Sequence, residues 1–321
     1  MSRLPPSLVA IGNFDGVHRG HRAVLGDALA RAQAAQLAPR VLTFSPHPAE
    51  VLGHGAPATL TRLPNKIRLL NEVGFDVEVQ PFDRTFAALS PEDFARQLLV
   101  ERLDARVIVV GQNFRFGHRR AGDLDTLRAL GSQLGFEVFP HHLVGDTNGV
   151  WSSTRVRKAI EVGDVAEARA IMGRDHALEG VVEHGQHRAR GLGFPTANLG
   201  DIREAIPARG VYAVRVERVE DDPSSPTSAP IRRAEKLGAG VANIGVRPTV
   251  EAGFAVEVHI FDFDRDLYTQ SLRIELVERL RDEKKFASLD ELKLQIARDA
   301  ERARSIVSSV LPACGREKIG R

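Results

Sequence analysis

The sequence predicts an α/β domain built on a mostly parallel sheet, followed by an antiparallel β domain that reads as a small barrel with a terminal helix. Three observations predict it. Up to Met172, short apolar runs alternate with segments of helical periodicity, the pattern of strands covered by helices on both faces. After Gly173, alternating strand-like segments punctuated by glycine and proline replace that repeat. From Ser288 onward the periodicity is helical again.

A chain of 321 residues is long enough for two cores, and its 43% hydrophobic and 27% charged residues are ordinary for a soluble globular protein. The boundary is expected near Arg174-Asp175, giving domains at 1–173 and 174–312 and a frayed tail at 313–321. A net charge of +2 gives no argument for nucleic acid or a membrane surface as partner. The single cysteine, Cys314, rules out a disulfide framework or cysteine zinc site within one chain and fits a reducing cytosol. Met1-Ser2-Arg3-Leu4-Pro5-Pro6 lacks the apolar core of a signal peptide, and no apolar run reaches membrane-spanning length. A cytoplasmic protein is expected. The oligomeric state is left open, a homo-oligomer included.

Taken in order, Leu8-Val9-Ala10-Ile11 reads as a buried strand, and Val24, Leu25, Ala28, Leu29 and Ala32 mark the first helix. Arg40 to Phe44 is a strand that ends in Ser45-Pro46-His47-Pro48, where two prolines are expected to force an extended, non-helical loop. Leu63 to Val73 is a helix with Pro64 at its start, and Val77 to Val79 a strand. Ser90 caps a helix opened by Pro91, Glu92 and Asp93. Val107 to Val110 is the clearest buried strand, followed by the loop Gly111 to Gly117, a helix from Gly122 to Leu134 and a strand from Phe136 to Phe139. Trp151 to Arg157 leads into a helix with apolar Val156, Ala159 and Ile160, and a second helix, Val165 to Met172, stops at Gly173. In the β domain the strand signals are Val211–Val216, Ala255–Phe263 and Leu272–Val277, with an exposed hairpin loop over Asp221 to Ala229. Ser288 and Glu291 form a capping box, and Leu289, Leu292, Ile296 and Ala300 the apolar side of the closing helix.

The chemistry concentrates in a few of these connections. The strand-to-helix turn Gly12-Asn13-Phe14-Asp15-Gly16-Val17-His18-Arg19-Gly20-His21-Arg22 carries three glycines, which let backbone come close to a ligand. The helix N-terminus behind it favours an anion, and His18 and His21, three apart, share one face. Together these make a phosphate site. Its pattern resembles the H-x-G-H signature of nucleotidyltransferases. Ser152-Ser153-Thr154-Arg155-Val156-Arg157 places hydroxyls and arginines at another helix start, which suits phosphate or a plain N-cap equally.

Gly185-Gln186-His187-Arg188-Ala189-Arg190-Gly191-Leu192-Gly193-Phe194-Pro195-Thr196-Ala197-Asn198 suits a loop closing over phosphates. Thr196 and Asn198 share a face of an extended strand, where a hydroxyl and an amide oxygen can hold Mg²⁺ together with phosphate oxygens. Glu257 and His259 alternate with apolar Val256, Val258 and Ile260. A carboxylate there can take the proton of an attacking hydroxyl, and spacing alone does not separate that role from a solvated glutamate. There is no G-x-x-x-x-G-K-[ST], so phosphoryl transfer here is not P-loop chemistry. His141 and His142 are adjacent, and His184 and His187 lack partners at ligand spacing, so no zinc site is expected.

Taken together, these stretches resemble the bacterial bifunctional riboflavin kinase/FAD synthetase family over nearly the whole chain. The resemblance rests on Gly12–Arg22, Thr43–Pro48, Gly111–Gly117 and Ser152–Arg157 in the first half. In the second it rests on Gly193–Leu199, Gly210–Ala213, Asn243–Thr249 and Glu257–Phe261. It implies a nucleotidyltransferase-type α/β domain that transfers AMP from ATP to FMN, releasing pyrophosphate, and a six-stranded antiparallel barrel that phosphorylates riboflavin with ATP. By the same resemblance, Gly12, Asn13, Phe14, Asp15, Gly16, His18, Gly20 and His21 would hold the ATP phosphates, with Ser153, Thr154 and Arg157 gripping them as well. Pro46, His47, Pro48, Asn113 and Phe114 would line the flavin site. In the kinase, Gly185, Arg188, Arg190, Gly193, Pro195, Thr196 and Asn198 would bind ATP and Mg²⁺, and Glu257 would be the general base. Three positions depart from the family pattern: Asn113 where Asp is common, Ala189 where Gly is usual, and Thr269 where Gly is common. On the residues alone, two other readings stay open. One is a nucleotidyltransferase for another small phosphate with a regulatory β domain; the other is a flavin-binding sensor.

Overall fold

The computed structural model describes residues 4–53, 55–183, 195–221, 232–246 and 254–309. The expectations placed on His184, Gly185, His187, Arg188, Ala189, Arg190, Gly193, Arg247, Pro248, Thr249 and Cys314, and on nearly all of the Asp221–Ala229 loop, lie outside the described residues. Among the described residues, those up to 152, apart from Ala58–Leu60, form one compact unit; Ala58–Leu60 and those from 153 form another.

The first unit runs β1 (Ser7–Ile11), α1 (Arg19–Ala34), β2 (Ala38–Ser45), α2 (Pro48–Val51), α3 (Leu63–Val73), β3 (Asp76–Pro81) and α4 (Arg84–Ala87). Next come α5 (Pro91–Asp93), continuing into wider π-type turns over Phe94–Arg102, β4 (Ala105–Gly111), α6 (Leu124–Leu134), β5 (Glu137–His141) and a small hairpin, β6 (Gly145–Asp146) with β7 (Gly149–Val150). Five strands pair in parallel in the order β3-β2-β1-β4-β5. All of β1 is buried, and its alternate residues feed two cores. Leu8 and Ala10 pack with Leu25, Ala28, Ile67 and Leu70 of α1 and α3; Val9 and Ile11 pack with Leu98, Leu99 and Leu127 on the other face. That is why β1 reads as an unbroken apolar run. The order reverses direction at β1, between β2 and β4, so the crevice beyond the carboxyl ends of these strands is the place for a ligand.

Two expectations about this unit need correction. Pro48 does not extend the loop after β2. It takes the first position of the short α2, where its missing N–H costs nothing, and His47 caps it by accepting from the Ala49 N–H at 3.1 Å. Helix α6 begins at Leu124, not Gly122, because Asp123 caps it through the Thr126 N–H.

The second unit holds α7 (Ser153–Glu161) and α8 (Val165–Met172), then β8 (His176–Glu183), β9 (Ala197–Gly200), β10 (Gly210–Asp221), β11 (Arg232–Val246), β12 (Phe254–Ile260), β13 (Ser271–Arg281) and α9 (Leu289–Ser309). Six strands close into an antiparallel barrel in the order β10-β11-β12-β9-β8-β13, with β13 paired back to β10. Its inside is apolar: Leu178, Leu199, Val214, Ile244, Val256, Val258 and Ile274. Helix α9 covers an outer patch of Val211, Ala213, Val241 and Phe261 with Ala300 and Ala303. Leu289, expected on that apolar side, is 63% exposed. Helix α8 is tied to the barrel by Arg169, which pairs with Asp175 and donates to the Val277 carbonyl.

Two features of the barrel carry stability predictions. Thr269 sits in the turn before β13 with φ 63°, a left-handed conformation that crowds a β-branched side chain. Thr269→Gly relieves that strain at a smaller entropic cost, so the urea midpoint should rise by the equivalent of about 1 kcal/mol. An unchanged or lower midpoint would contradict it.

His176 is fully buried, its Nε2 donates to the Ala205 carbonyl at 2.7 Å, and its Nδ1 has no partner among the described residues. Burial pushes its pKa down to about 4. The folded state therefore resists a proton that the unfolded chain accepts near pH 6.5. The stabilisation is complete above pH 6.5 and is lost as the pH falls toward 4, to a total of about 3 kcal/mol. Urea titrations across that range should show the loss in the native chain and a flatter profile in His176→Gln.

Candidate active sites

The first site forms where β1, β2 and β4 end. His18 is the N-cap of α1: its Nδ1 accepts from the His21 N–H at 3.3 Å, so in the neutral ring the proton sits on Nε2. The two imidazoles stack with ring centroids 3.6 Å apart, and the Phe14 ring meets His21 edge-on at 5.2 Å. Gly20 is needed between them, because a Cβ there would lie 3.1 Å from His18 Nδ1 and 3.1 Å from the Trp151 carbonyl oxygen. Gly16 takes φ 83°, and the non-glycine residues Phe14 (48°) and Val17 (38°) are also left-handed. A β-branched residue with positive φ is rare, and such backbone persists only where its surroundings hold it.

What holds it is a set of contacts the sequence did not reveal. The Asn13 carbonyl oxygen accepts from Thr43 Oγ1 at 3.2 Å and from Lys66 Nζ at 3.2 Å, and Lys66 also donates to Thr43 Oγ1 at 3.2 Å. Asp15 Oδ1 accepts from the Thr61 N–H at 3.2 Å. Lys66 is buried, which lowers the pKa of its ammonium, while the Asp15 carboxylate opposes the shift. A trans peptide points its C=O and N–H in opposite directions. With the Asn13 carbonyl turned onto Lys66 and Thr43, the Phe14 N–H is turned the other way, and among the described residues it donates to nothing. A signal for Lys66 exists: it shares the helical spacing of Leu63, Ile67 and Leu70, a cation on an apolar stripe.

The two loops that the resemblance assigns to a flavin follow the carboxyl ends of β2 and β4. Asn13 Nδ2 and His47 Nε2 are 3.1 Å apart, which links the phosphate turn to the Pro46–Pro48 loop. Phe114 stacks on Phe116 at 5.4 Å, and from there a chain of rings runs through Phe94, Phe86, Phe82 and Phe44, each 5.3–6.0 Å from the next. Those inner phenylalanines come from separate elements, so their grouping is invisible in the sequence. Asn113 is exposed at the head of this loop. Ser153, Thr154 and Arg157 open α7 in the other unit, where Arg157 Nε donates to the Ala58 carbonyl at 2.7 Å. Their assignment to the same ATP rests on the resemblance alone.

The second site lies on the outer face of the barrel. Glu257 stands directly opposite Asn198 of β9 on one side and Asn243 of β11 on the other, so one row across three strands carries amide, carboxylate and amide. Their neighbours Leu199, Val256 and Ile244 point into the core, which sends this row outward. Asn243 was not picked out as a site residue by the sequence, since only the pairing register places it. Alternation puts Thr196 on the face of Asn198, and His259 Nδ1 bonds the Pro195 carbonyl at 2.8 Å, pinning the start of β9. Among the described residues no group of three or more His, Cys, Asp or Glu can hold a metal ion. A hydroxyl and an amide oxygen beside one carboxylate fit instead a hard cation that arrives with its nucleotide and brings phosphate oxygens as further ligands.

The family models and the curated relatives agree with one another. Residues 1–155 match the family model described as FAD synthetase, and residues 172–307 the one described as riboflavin kinase. The chain is 42% identical to the bifunctional riboflavin kinase/FMN adenylyltransferase of Escherichia coli K12, over 95% of this chain and 94% of that protein. It is 38% identical to the protein of the same description from Pseudomonas fluorescens, over 94% and 93%. A crystal structure described as a macrolide-efflux protein from Streptococcus pneumoniae matches with a TM-score of 0.80 at 30% identity, covering 95% of each chain. Among the described residues no helix is long and apolar enough to cross a membrane.

Proposed function

Because this chain belongs to the bifunctional riboflavin kinase/FMN adenylyltransferase family, we propose how its own residues divide the two reactions. The C-terminal domain phosphorylates riboflavin to FMN with ATP, and the N-terminal domain adenylylates FMN to FAD. We place the border between the two catalytic domains at Gly173.

In the kinase, Glu257 accepts the proton of the ribityl 5′-hydroxyl as that oxygen attacks the γ-phosphorus of ATP and the bond to the ADP oxygen breaks. The pairing of Glu257 with Asn198 carries this reading, since it brings the base beside the Thr196-x-Asn198 oxygens. Thr196 and Asn198 would hold Mg²⁺, which when bound neutralises phosphate charge. In the adenylyltransferase no protein nucleophile is required. A phosphate oxygen of FMN attacks the α-phosphorus of ATP, and pyrophosphate leaves. His18 Nε2–H, the His21 ring and the Phe14 N–H are the donors for the charge that builds on the phosphate oxygens, and the Phe114 ring, backed by buried Phe116, is the stacking surface for the isoalloxazine. We place the enzyme in the cytoplasm, with small molecules as its only substrates.

Purified protein given riboflavin, ATP and Mg²⁺ should yield FMN and then FAD on chromatography, and chelation of Mg²⁺ should stop FMN formation. Riboflavin returned unchanged would overturn the kinase assignment, and accumulation of FMN without FAD the adenylyltransferase assignment.

A further inference from the structure

Lys66 is absent from every motif that the family resemblance rests on, and it sits beneath the phosphate turn, not in it. We propose that Lys66 is a positioning residue for adenylyl transfer: it grips the Asn13 carbonyl and Thr43 together, and so presents the Phe14 N–H to the ATP phosphates. The inference rests on the adenylyltransferase reading of the first domain.

The geometry leaves little else for it to do. A lysine is seldom buried without a task, since taking an ammonium out of water is costly. This one is 9% exposed and uses two of its three N–H donors, on Asn13 O and Thr43 Oγ1. Its charge is balanced by Asp15, inside the same turn and bonded to the Thr61 N–H. Two points of the turn are thereby tied to elements behind it: residue 13 to α3 and β2, residue 15 to the segment just before α3. Between them lies Phe14, in a left-handed conformation with its N–H turned out of the cluster and without an acceptor among the described residues. If the Asn13 carbonyl were released, the Asn13–Phe14 peptide could rotate as a plane, and the N–H would leave its place with it. A lysine suits this position better than a neutral donor, because a charge-assisted hydrogen bond to a carbonyl resists that rotation more strongly.

The test is Lys66→Met, which keeps the length of the side chain and removes charge and donors, read in the full-length protein. The same molecule supplies the control, since riboflavin phosphorylation uses the other unit. The expected result is a KM for ATP in FMN adenylylation raised about tenfold and a kcat lowered about tenfold, with KM for FMN and the kinase reaction within twofold of the parent. A merely structural role would lower the active fraction, and hence kcat, at unchanged KM for ATP; that outcome overturns the proposal. Thr43→Val removes the shared hydroxyl and should raise KM for ATP about threefold or more. Combined with Lys66→Met it should add less than its own effect, because both act on one carbonyl. Fully additive effects would overturn the shared-clamp argument. If Lys66→Met also loses kinase activity through misfolding, Thr43→Val alone decides: an unchanged KM for ATP in a folded Thr43→Val protein overturns the proposal.

Discussion

Replacing Glu257 by glutamine should lower riboflavin phosphorylation by about 10³-fold while FMN adenylylation stays within twofold. A positioned general base contributes about 10²- to 10⁴-fold, and glutamine keeps the size and hydrogen-bonding reach of the side chain while losing the ability to take a proton. The fold should tolerate it. Glu257 is on the outward face of β12, flanked in register by Asn198 and Asn243, and its backbone pairing does not depend on the carboxylate. The expected signature is a loss in kcat with little change in the KM for riboflavin, since the proton moves only in the transition state. A Glu257→Gln protein that still makes FMN at more than a tenth of the parent rate would show that this carboxylate is not the base.

The second large effect belongs to the histidine pair. His21→Ala should lower FMN adenylylation by about 10²- to 10³-fold, the usual cost of removing a preorganised donor to developing negative charge, and leave the kinase reaction intact. His18 needs a more careful substitution. Alanine removes both the ring and the cap of α1, which would cost about 1 kcal/mol of stability. His18→Asn keeps an acceptor for the His21 N–H and isolates the loss of the Nε2 donor, so it should match His21→Ala in activity without lowering the melting temperature. Nearly full activity in either variant would exclude the stacked pair from the chemistry.

The elements that the sequence disclosed share one property: their signal is local. The β1 run, the periodicity of α1 and α3 and the Ser90 and Ser288 caps can each be read within a few residues. Strand β11 could not be read that way. Its first half, Arg232 to Gly240, is charged and glycine-rich, and its pairing is with β10 and β12. Arg232 is satisfied by a two-pronged contact to buried Glu179, more than fifty positions earlier. Strands β8 and β9 were missed for the same reason, although the alternation of Thr196 and Asn198 was correctly taken as extended. At the sites, the motifs picked out candidate residues that the fold brings together, His18 with His21 and Asn198 with Glu257. Lys66 lies outside every motif, and Thr43 and Asn243, although inside motif stretches, carried no expected role, because helix packing and sheet register bring them to their partners. Pro48 shows a different failure: proline was read as a breaker where its position made it a helix start.

The central claim is that one chain holds two independent sites whose reactions follow one another. It is tested most directly by mixing the two single-site variants. Given riboflavin, ATP and Mg²⁺, Glu257→Gln alone should leave riboflavin unconverted, and His21→Ala alone should stop at FMN. The mixture should produce FAD, because FMN released by one protein is substrate for the other. Failure of the mixture to make FAD, when each variant retains its own intact activity, would contradict free transfer between independent sites. Loss of FMN formation in His21→Ala would contradict the division itself.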